Sequence, residues 1–311
     1  MPKRHWRGTM SDYDVMIIGA GPAGLSCASY AARSGMRTLV LEAGFPGGQV
    51  LSLDKVENYP SIKPMEGFAL ASAFQAQAES FGARIELEGA MSLKKEDGLF
   101  CAGDFKAPIC VLATGCSRRK LGCKGEEQYT GRGVSYCATC DGPFFKGKKM
   151  LVIGGGDSAV QEAIYLSGLT GDLTICHRRA TFRAQAALAR SLESHHVKTR
   201  MNSSVLEIIG DGKKVTAVKF DDLSEESFDA VFIFVGLVPN NDLAKAMGCK
   251  LDDIGFVMTD AAMRTSVDGL FAIGDVRNTL FRQIVTASSD GAIAAHFAKQ
   301  ELDSLEGRSY I

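Results

Sequence analysis

Two stretches of this chain repeat one design, and each fixes a βαβ unit. In the first, Tyr13-Asp-Val-Met-Ile-Ile18 runs into Gly19-Ala-Gly21-Pro-Ala-Gly24 and then into residues 25–33, rich in Ala and Ser. In the second, Lys149-Met-Leu-Val-Ile153 runs into Gly154-Gly-Gly156-Asp-Ser-Ala159 and then into residues 160–167. Each reads as a buried apolar strand, a glycine turn and a helix. A further strand follows each, at 37–41 and 172–176. Such units build right-handed parallel sheets.

The spacing is the same in both. Glu42 stands 23 positions after Gly19, and His177 stands 23 after Gly154. That is the position which reads the adenosine ribose of a dinucleotide. One glycine fingerprint is weak support. Two with matched downstream spacing predict two dinucleotide sites. The physics is common to both: Gly19 and Gly154 allow the tight turn, Gly21 and Gly156 let the backbone approach a pyrophosphate, and Gly24 and Ala159 let helix pack on strand. The phosphates then sit at the positive end of a helix.

The two sites differ in what they read. The Glu42 carboxylate accepts hydrogen bonds from a free ribose 2′-OH and repels a 2′-phosphate, as suits FAD or NAD. His177-Arg178-Arg179, with Arg183 four residues on, is a cationic cluster suited to the 2′-phosphate of NADPH.

Between the two fingerprints lies Cys137-Ala-Thr-Cys140, followed at once by Asp141. Two sulfurs at this spacing can close a small, labile ring. A lowered thiol pKa in such a loop makes one sulfur a nucleophile at neutral pH, and a neighbouring carboxyl can shuttle its proton. Zinc binding would need two more ligands, and Cys116 and Cys123, the nearest, form no second CxxC. A structural disulfide and inert thiols are the other readings. The odd total of nine cysteines over a long chain argues for a reducing compartment, with the other seven as small buried apolar groups.

The 311 residues suit two domains at roughly 150 residues each. Net charge −1 gives no reason to expect a nucleic-acid partner. The longest apolar run, 230–238, falls far short of the ~20 residues a membrane span needs. The basic start, residues 1–9, has no apolar core and reads as an extension before Met10 rather than a secretory signal. Beyond the two units, residues 66–81 suit an amphipathic helix with Leu70, Phe74, Ala78 and Phe81 on one face. Residues 109–115 and 270–275 suit strands ending in polar turns, 229–238 a buried strand, and 288–299 a helix.

Together these residues resemble the low-molecular-weight thioredoxin reductases, over about 13–296. The resemblance rests on the two fingerprints, Gly47-Gly48-Gln49, Val56-Glu-Asn58-Tyr-Pro60, Ala113-Thr114-Gly115, Cys137-Ala-Thr-Cys-Asp141, His177-Arg-Arg179 with Phe182-Arg-Ala184, Gly274-Asp275 and Arg282-Gln283. It implies an α/β fold of two Rossmann-like dinucleotide-binding domains. The FAD domain would be discontinuous, 10–115 with 247–311, and the NADPH domain, 116–246, would be inserted and carry the CxxC. Hinges would fall near 116–122 and 243–248.

The resemblance also implies roles. Gly47, Gly48, Gln49, Asn58 and Thr114 would line the flavin. Asp275 would bond its ribityl chain, beside Arg282 and Gln283. Cys140 would face the flavin, Cys137 would attack thioredoxin, and Asp141 would supply a proton. The implied protein is a cytoplasmic homodimer that reduces thioredoxin disulfide with NADPH through FAD, with no membrane or nucleic-acid partner and no metal. Asp157 replaces the usual Asn, placing a carboxylate near a pyrophosphate. Ala180 stands where an acidic residue is common, and Gly236-Leu-Val-Pro-Asn240 lacks a familiar histidine. Related reductases for ferredoxin or flavodoxin usually lack the CxxC, and those of the alkyl-hydroperoxide type carry a further N-terminal domain. A flavin-binding redox sensor without turnover is the reading from another class.

Overall fold

A computed structural model describes residues 12–53 and 55–308; the reading of residues 1–9 lies outside them. Main-chain contacts divide the chain into two units. One takes in the described residues up to Ser117 and from Val238 onward, and the other is Arg118–Leu237.

In the first unit, strand Val15–Ile18 pairs in parallel with Thr38–Leu41 on one side and Ile109–Leu112 on the other. Arg84–Glu86 and Leu270–Ala272 complete the sheet at its two edges. Alternate side chains of a strand point to opposite faces. Val15 and Ile17 therefore enter one core with helices Pro22–Arg33 and Ile284–Leu305, while Met16 and Ile18 enter another with Leu93, Phe100 and Ala107. All four residues of Val15–Ile18 are buried, as a parallel strand covered on both faces requires.

The second unit repeats this plan. Strand Met150–Gly154 lies between Leu173–His177 and Ala230–Phe234, with Lys198–Met201 and Val134–Ser135 at the edges. Val134–Ser135 thus takes the edge place that Leu270–Ala272 takes in the first unit. Each sheet is covered by helices on one face. On the other lies a three-stranded antiparallel sheet, Lys94–Glu96 to Phe105–Ala107 in the first unit and Val205–Gly210 to Glu225–Ser227 in the second.

Several elements differ from the sequence expectation. The second amphipathic helix is Gly67–Ser80; Leu70 and Ala78 are buried, but Phe81 ends it and stays exposed. The last helix is longer, Ile284–Leu305, because Gln283 and Thr286 form a reciprocal capping box ahead of the expected start. Strand Ala230–Phe234 stops before Gly236, and Leu237–Pro239 forms a separate short strand. The return crossing falls at 237–238, earlier than the expected 246–247 junction. Leu243 and Ala244 pack with Met16 and Val257 of the first unit, and burying them there outweighs the chain's continuity with the preceding strand. No helix among the described residues is long and apolar enough to cross a membrane.

Candidate dinucleotide and redox sites

The first fingerprint is built by contact. A Cβ on Gly24 would lie 1.9 Å from the Gly19 carbonyl oxygen, so helix Pro22–Arg33 can reach the sheet only without one. A Cβ on Gly21 would lie 4.0 Å from the Gly48 α-carbon, so backbone stands opposite backbone at this turn. Gly47 N–H donates to the Ala20 carbonyl at 2.7 Å and brings Gly47 and Gly48 alongside the turn. Glu42 follows directly on the strand Thr38–Leu41. Its Oε2 accepts from Ala20 N–H at 2.7 Å and its Oε1 from Gly44 N–H at 2.9 Å, so the carboxylate is locked in place with lone pairs to spare.

Other expected flavin residues gather in this unit. Gln49 donates to the Cys116 carbonyl at 2.7 Å. Asn58 donates to Gln283 Oε1 at 3.0 Å across a long chain separation. Thr114 and Asn240 exchange bonds, Thr114 Oγ1 to the Asn240 carbonyl at 2.6 Å and Asn240 Nδ2 to the Thr114 carbonyl at 2.8 Å. Asp275 follows the edge strand, and the Cys116 thiol points to its Oδ2 at 3.9 Å. Arg282 is turned inward: its guanidinium lies 4.1 Å from the Phe256 ring centre and donates to the Thr279 and Arg277 carbonyls. It holds the 277–282 loop. Backbone opposed to backbone at the glycine turn, a carboxylate held by two N–H groups and nearby amide side chains are a donor set of the kind a dinucleotide takes.

The second fingerprint has the same division of labour. A Cβ on Gly154 would meet the Phe234 carbonyl at 2.4 Å and Ala159 at 2.6 Å, whereas one on Gly156 would meet nothing, so the approach to a pyrophosphate is open. Arg178, Arg179 and Arg183 are exposed, and among the described residues none makes a salt bridge. His177 departs from the expected cationic cluster. It is buried and stacks on Phe182 at 5.8 Å between ring centres. Desolvation first, then the nearby Arg183, Arg179 and Arg178, lower its pKa below the ordinary histidine value. It is a neutral floor beneath Gly155, where a Cβ would fall 2.3 Å from the ring.

Cys137 and Cys140 form a disulfide. Among the described residues no group of three or more His, Cys, Asp or Glu is placed to hold a metal. Strand Val134–Ser135 delivers Cys137 to the N-cap of the one-turn helix Ala138–Asp141, and Cys140 N–H donates to Cys137 Sγ at 3.2 Å. Ser135, missed in the sequence reading, donates to Asp141 Oδ2 at 2.5 Å. The remaining seven cysteines carry no disulfide. Burial pushes the Cys27 thiol up to about 12 and the Cys176 thiol up to about 11, as suits inert packing groups.

The sequence profile of the pyridine nucleotide-disulphide oxidoreductases matches residues 13–291. A thioredoxin reductase of Treponema pallidum is 47% identical over 307 residues, covering 95% of this chain and 99% of that protein. One from Bacillus subtilis is 41% identical, covering 94% and 96%. The crystal structure of thioredoxin reductase from Streptococcus pyogenes superposes with a TM-score of 0.86 at 40% identity, covering 94% of this chain and 98% of that one.

Proposed function

Because the chain belongs to the pyridine nucleotide-disulphide oxidoreductase family, we propose that it is a thioredoxin reductase, which uses NADPH to reduce the disulfide of thioredoxin through FAD and its own Cys137–Cys140 pair. Its relatives at 41–47% identity carry that name over nearly their whole length. The observation that carries the reading is the position of the disulfide. It sits beyond the end of an edge strand of the sheet that holds the second fingerprint. The carboxyl ends of such strands are where doubly wound sheets bind ligands.

The residues divide the work. Glu42 holds the FAD ribose, with Gly19, Gly21 and Gly24 cradling the pyrophosphate, and Gly47, Gly48, Gln49, Asn58, Thr114, Asp275 and Gln283 lining the rest. Arg282 acts through the loop it braces. Gly154, Gly156 and Ala159 receive the NADPH pyrophosphate, and Arg178, Arg179 and Arg183 hold its 2′-phosphate over the neutral His177. FAD, when bound, would supply the two-electron link between the nicotinamide and the disulfide. Asp141 gives a proton as the sulfurs separate. Cys137, whose Sγ already accepts an N–H bond, attacks the partner disulfide, and Cys140 resolves the mixed disulfide. Nicotinamide, disulfide and partner need access in turn, so the units reorient about the crossings at 117–118 and 237–238.

A cytoplasmic homodimer belongs to the same proposal. Seven free thiols suit a reducing compartment, and the molar mass in solution, from size-exclusion with light scattering, tests the dimer. Anaerobic NADPH titration, watched by flavin absorbance, tests the core of it. Uptake of two electrons beyond those of flavin alone counts the disulfide. Cys137→Ser and Cys140→Ser should keep NADPH-to-flavin transfer and lose thioredoxin reduction; full thioredoxin reduction by Cys140→Ser would sink the relay.

A further inference from the structure

Ser135 is the last residue of the edge strand Val134–Ser135 and is 4% exposed. Its hydroxyl lies 2.5 Å from Asp141 Oδ2, 3.1 Å from Cys137 N and 3.2 Å from the Cys137 carbonyl oxygen. A serine has one proton to give and two lone pairs. A hydroxyl-to-carboxylate bond is charge-assisted at 2.5–2.7 Å. The proton therefore goes to Asp141, and a lone pair accepts the Cys137 N–H. Asp141 N–H in turn donates to the Cys137 carbonyl at 3.1 Å. Three hydrogen bonds thus close a ring through Ser135, Cys137 and Asp141.

A local serine turn explains the contact with Cys137, two residues on. It does not explain the close approach to a carboxyl six residues away. Asp141 ends a one-turn helix, and its side chain has two free torsions. The Ser135 hydroxyl selects one orientation and ties it to the main chain of the cysteine. A proton donor displaced by even an ångström loses much of its effect.

We propose that Ser135 is a positioning residue for the thiol–disulfide step, holding the Asp141 carboxyl by its Oδ2 and in register with Cys137. The inference rests on the proton-donor role proposed for Asp141. Opening the Cys137–Cys140 bond takes up two electrons and two protons and yields two thiols. NADPH supplies both electrons and one proton as hydride, and the second proton is drawn from solvent and relayed through the Asp141 oxygen that Ser135 does not hold. The serine keeps its own proton throughout, so the step balances without it as a reactant.

The test is a double-mutant cycle on the intact, FAD-loaded protein, with Ser135→Ala, Asp141→Asn and the pair. Two rates are read: flavin reduction by NADPH, and thioredoxin reduction under saturating NADPH. Ser135→Ala should slow thioredoxin reduction about tenfold with flavin reduction within about twofold of the parent. Ser135→Thr, which keeps the hydroxyl, should recover most of the loss. In the Asp141→Asn background the serine substitution should cost nothing more, because its route to the chemistry is already cut. If Asp141→Asn is slow but Ser135→Ala is not, the positioning role falls. If the two losses multiply, the serine acts by some path other than Asp141, and the proposal falls. If Asp141→Asn is itself fully active, the proton-donor role fails first and takes this inference with it. Should Ser135→Ala fold poorly, seen as lost flavin, Ser135→Thr against Ser135→Val makes the same comparison at equal size.

Discussion

Gln185 binds Asp157 twice, its main-chain N–H donating to Oδ1 at 2.8 Å and its side-chain amide to Oδ2 at 3.3 Å. Two residues earlier, Arg183 N–H donates to the Gly155 carbonyl at 2.6 Å, and Ala184 N–H reaches the same oxygen at 3.2 Å. The loop that carries the arginines is thus stapled to the second glycine turn, the proposed pyrophosphate site. The Asp157 carboxylate, which the sequence places near the proposed pyrophosphate, is engaged by Gln185 donors at both oxygens.

Asp157→Ala should therefore act on NADPH binding through the loop. We expect KM for NADPH to rise by roughly three- to tenfold with kcat little changed, since the lost bonds are partly exposed. KM for NADH, which has no 2′-phosphate, should move much less. Steady-state kinetics with both nucleotides checks this.

The three arginines should govern the preference itself. A charge-assisted bond to a phosphate is worth about 1.5–3 kcal/mol, or roughly ten- to a hundredfold in affinity. Replacing Arg178 and Arg179 together with Ala should remove most discrimination between NADPH and NADH. The ratio of kcat/KM values for the two nucleotides is the readout.

Arg277 and Asp290 form a two-pronged ion pair, Nε to Oδ2 at 2.7 Å and Nη2 to Oδ1 at 3.0 Å, with the Asp290 carboxylate also accepting Gly274 N–H at 3.0 Å. Both side chains are largely buried. Asp290→Ala leaves a buried cation and an N–H without an acceptor, and should cost about 3 kcal/mol. Because the pair fixes the turn before Asp275, flavin should also be released at lower urea. Urea unfolding followed by flavin fluorescence tests both, and Asp290→Asn should lose less.

His177 gives a pH dependence with a definite sign. Burial and the arginines lower its pKa in the folded state. The unfolded chain then takes up a proton before the folded one does, so stability is whole above the ordinary value of 6.5 and falls as pH drops below it. His177→Gln should flatten that fall. The urea midpoint of the variant, compared with the parent at about pH 7.5 and about pH 5.5, shows whether it does.

Much of this was written plainly in the chain. Val15–Ile18 and Met150–Gly154 are apolar runs that lead into glycine turns, and the same downstream spacing in both marks them as copies of one βαβ design. Glu42 stands where its count from Gly19 puts it. The antiparallel covers were harder, because their strands are short and only half buried. One signal was present: Asp97-Gly98 joins Glu96 to Leu99, both at positive φ as a type I′ hairpin turn requires. His177 was misjudged because spacing gives a position and not a direction; the ring turns inward onto Phe182. Ser135 and Asn240 escaped for a related reason. Their partners, Asp141 and Thr114, are set by how strands end, and that is tertiary information.

The first unit is assembled from two stretches of chain, and its opening helix needs its last. Gly291 of helix Ile284–Leu305 lies so close to Pro22–Arg33 that a Cβ there would meet the Ala23 carbonyl at 2.3 Å, and Ser26 donates to the Ser288 carbonyl at 2.8 Å. Residues 118–237, by contrast, close their sheet on themselves. On the ribosome the redox unit can mature while the N-terminal strands still lack their edge strand Leu270–Ala272 and the helix Ile284–Leu305 that packs on Pro22–Arg33. The unit inserted in the middle of the chain is then complete before the one that encloses it in sequence.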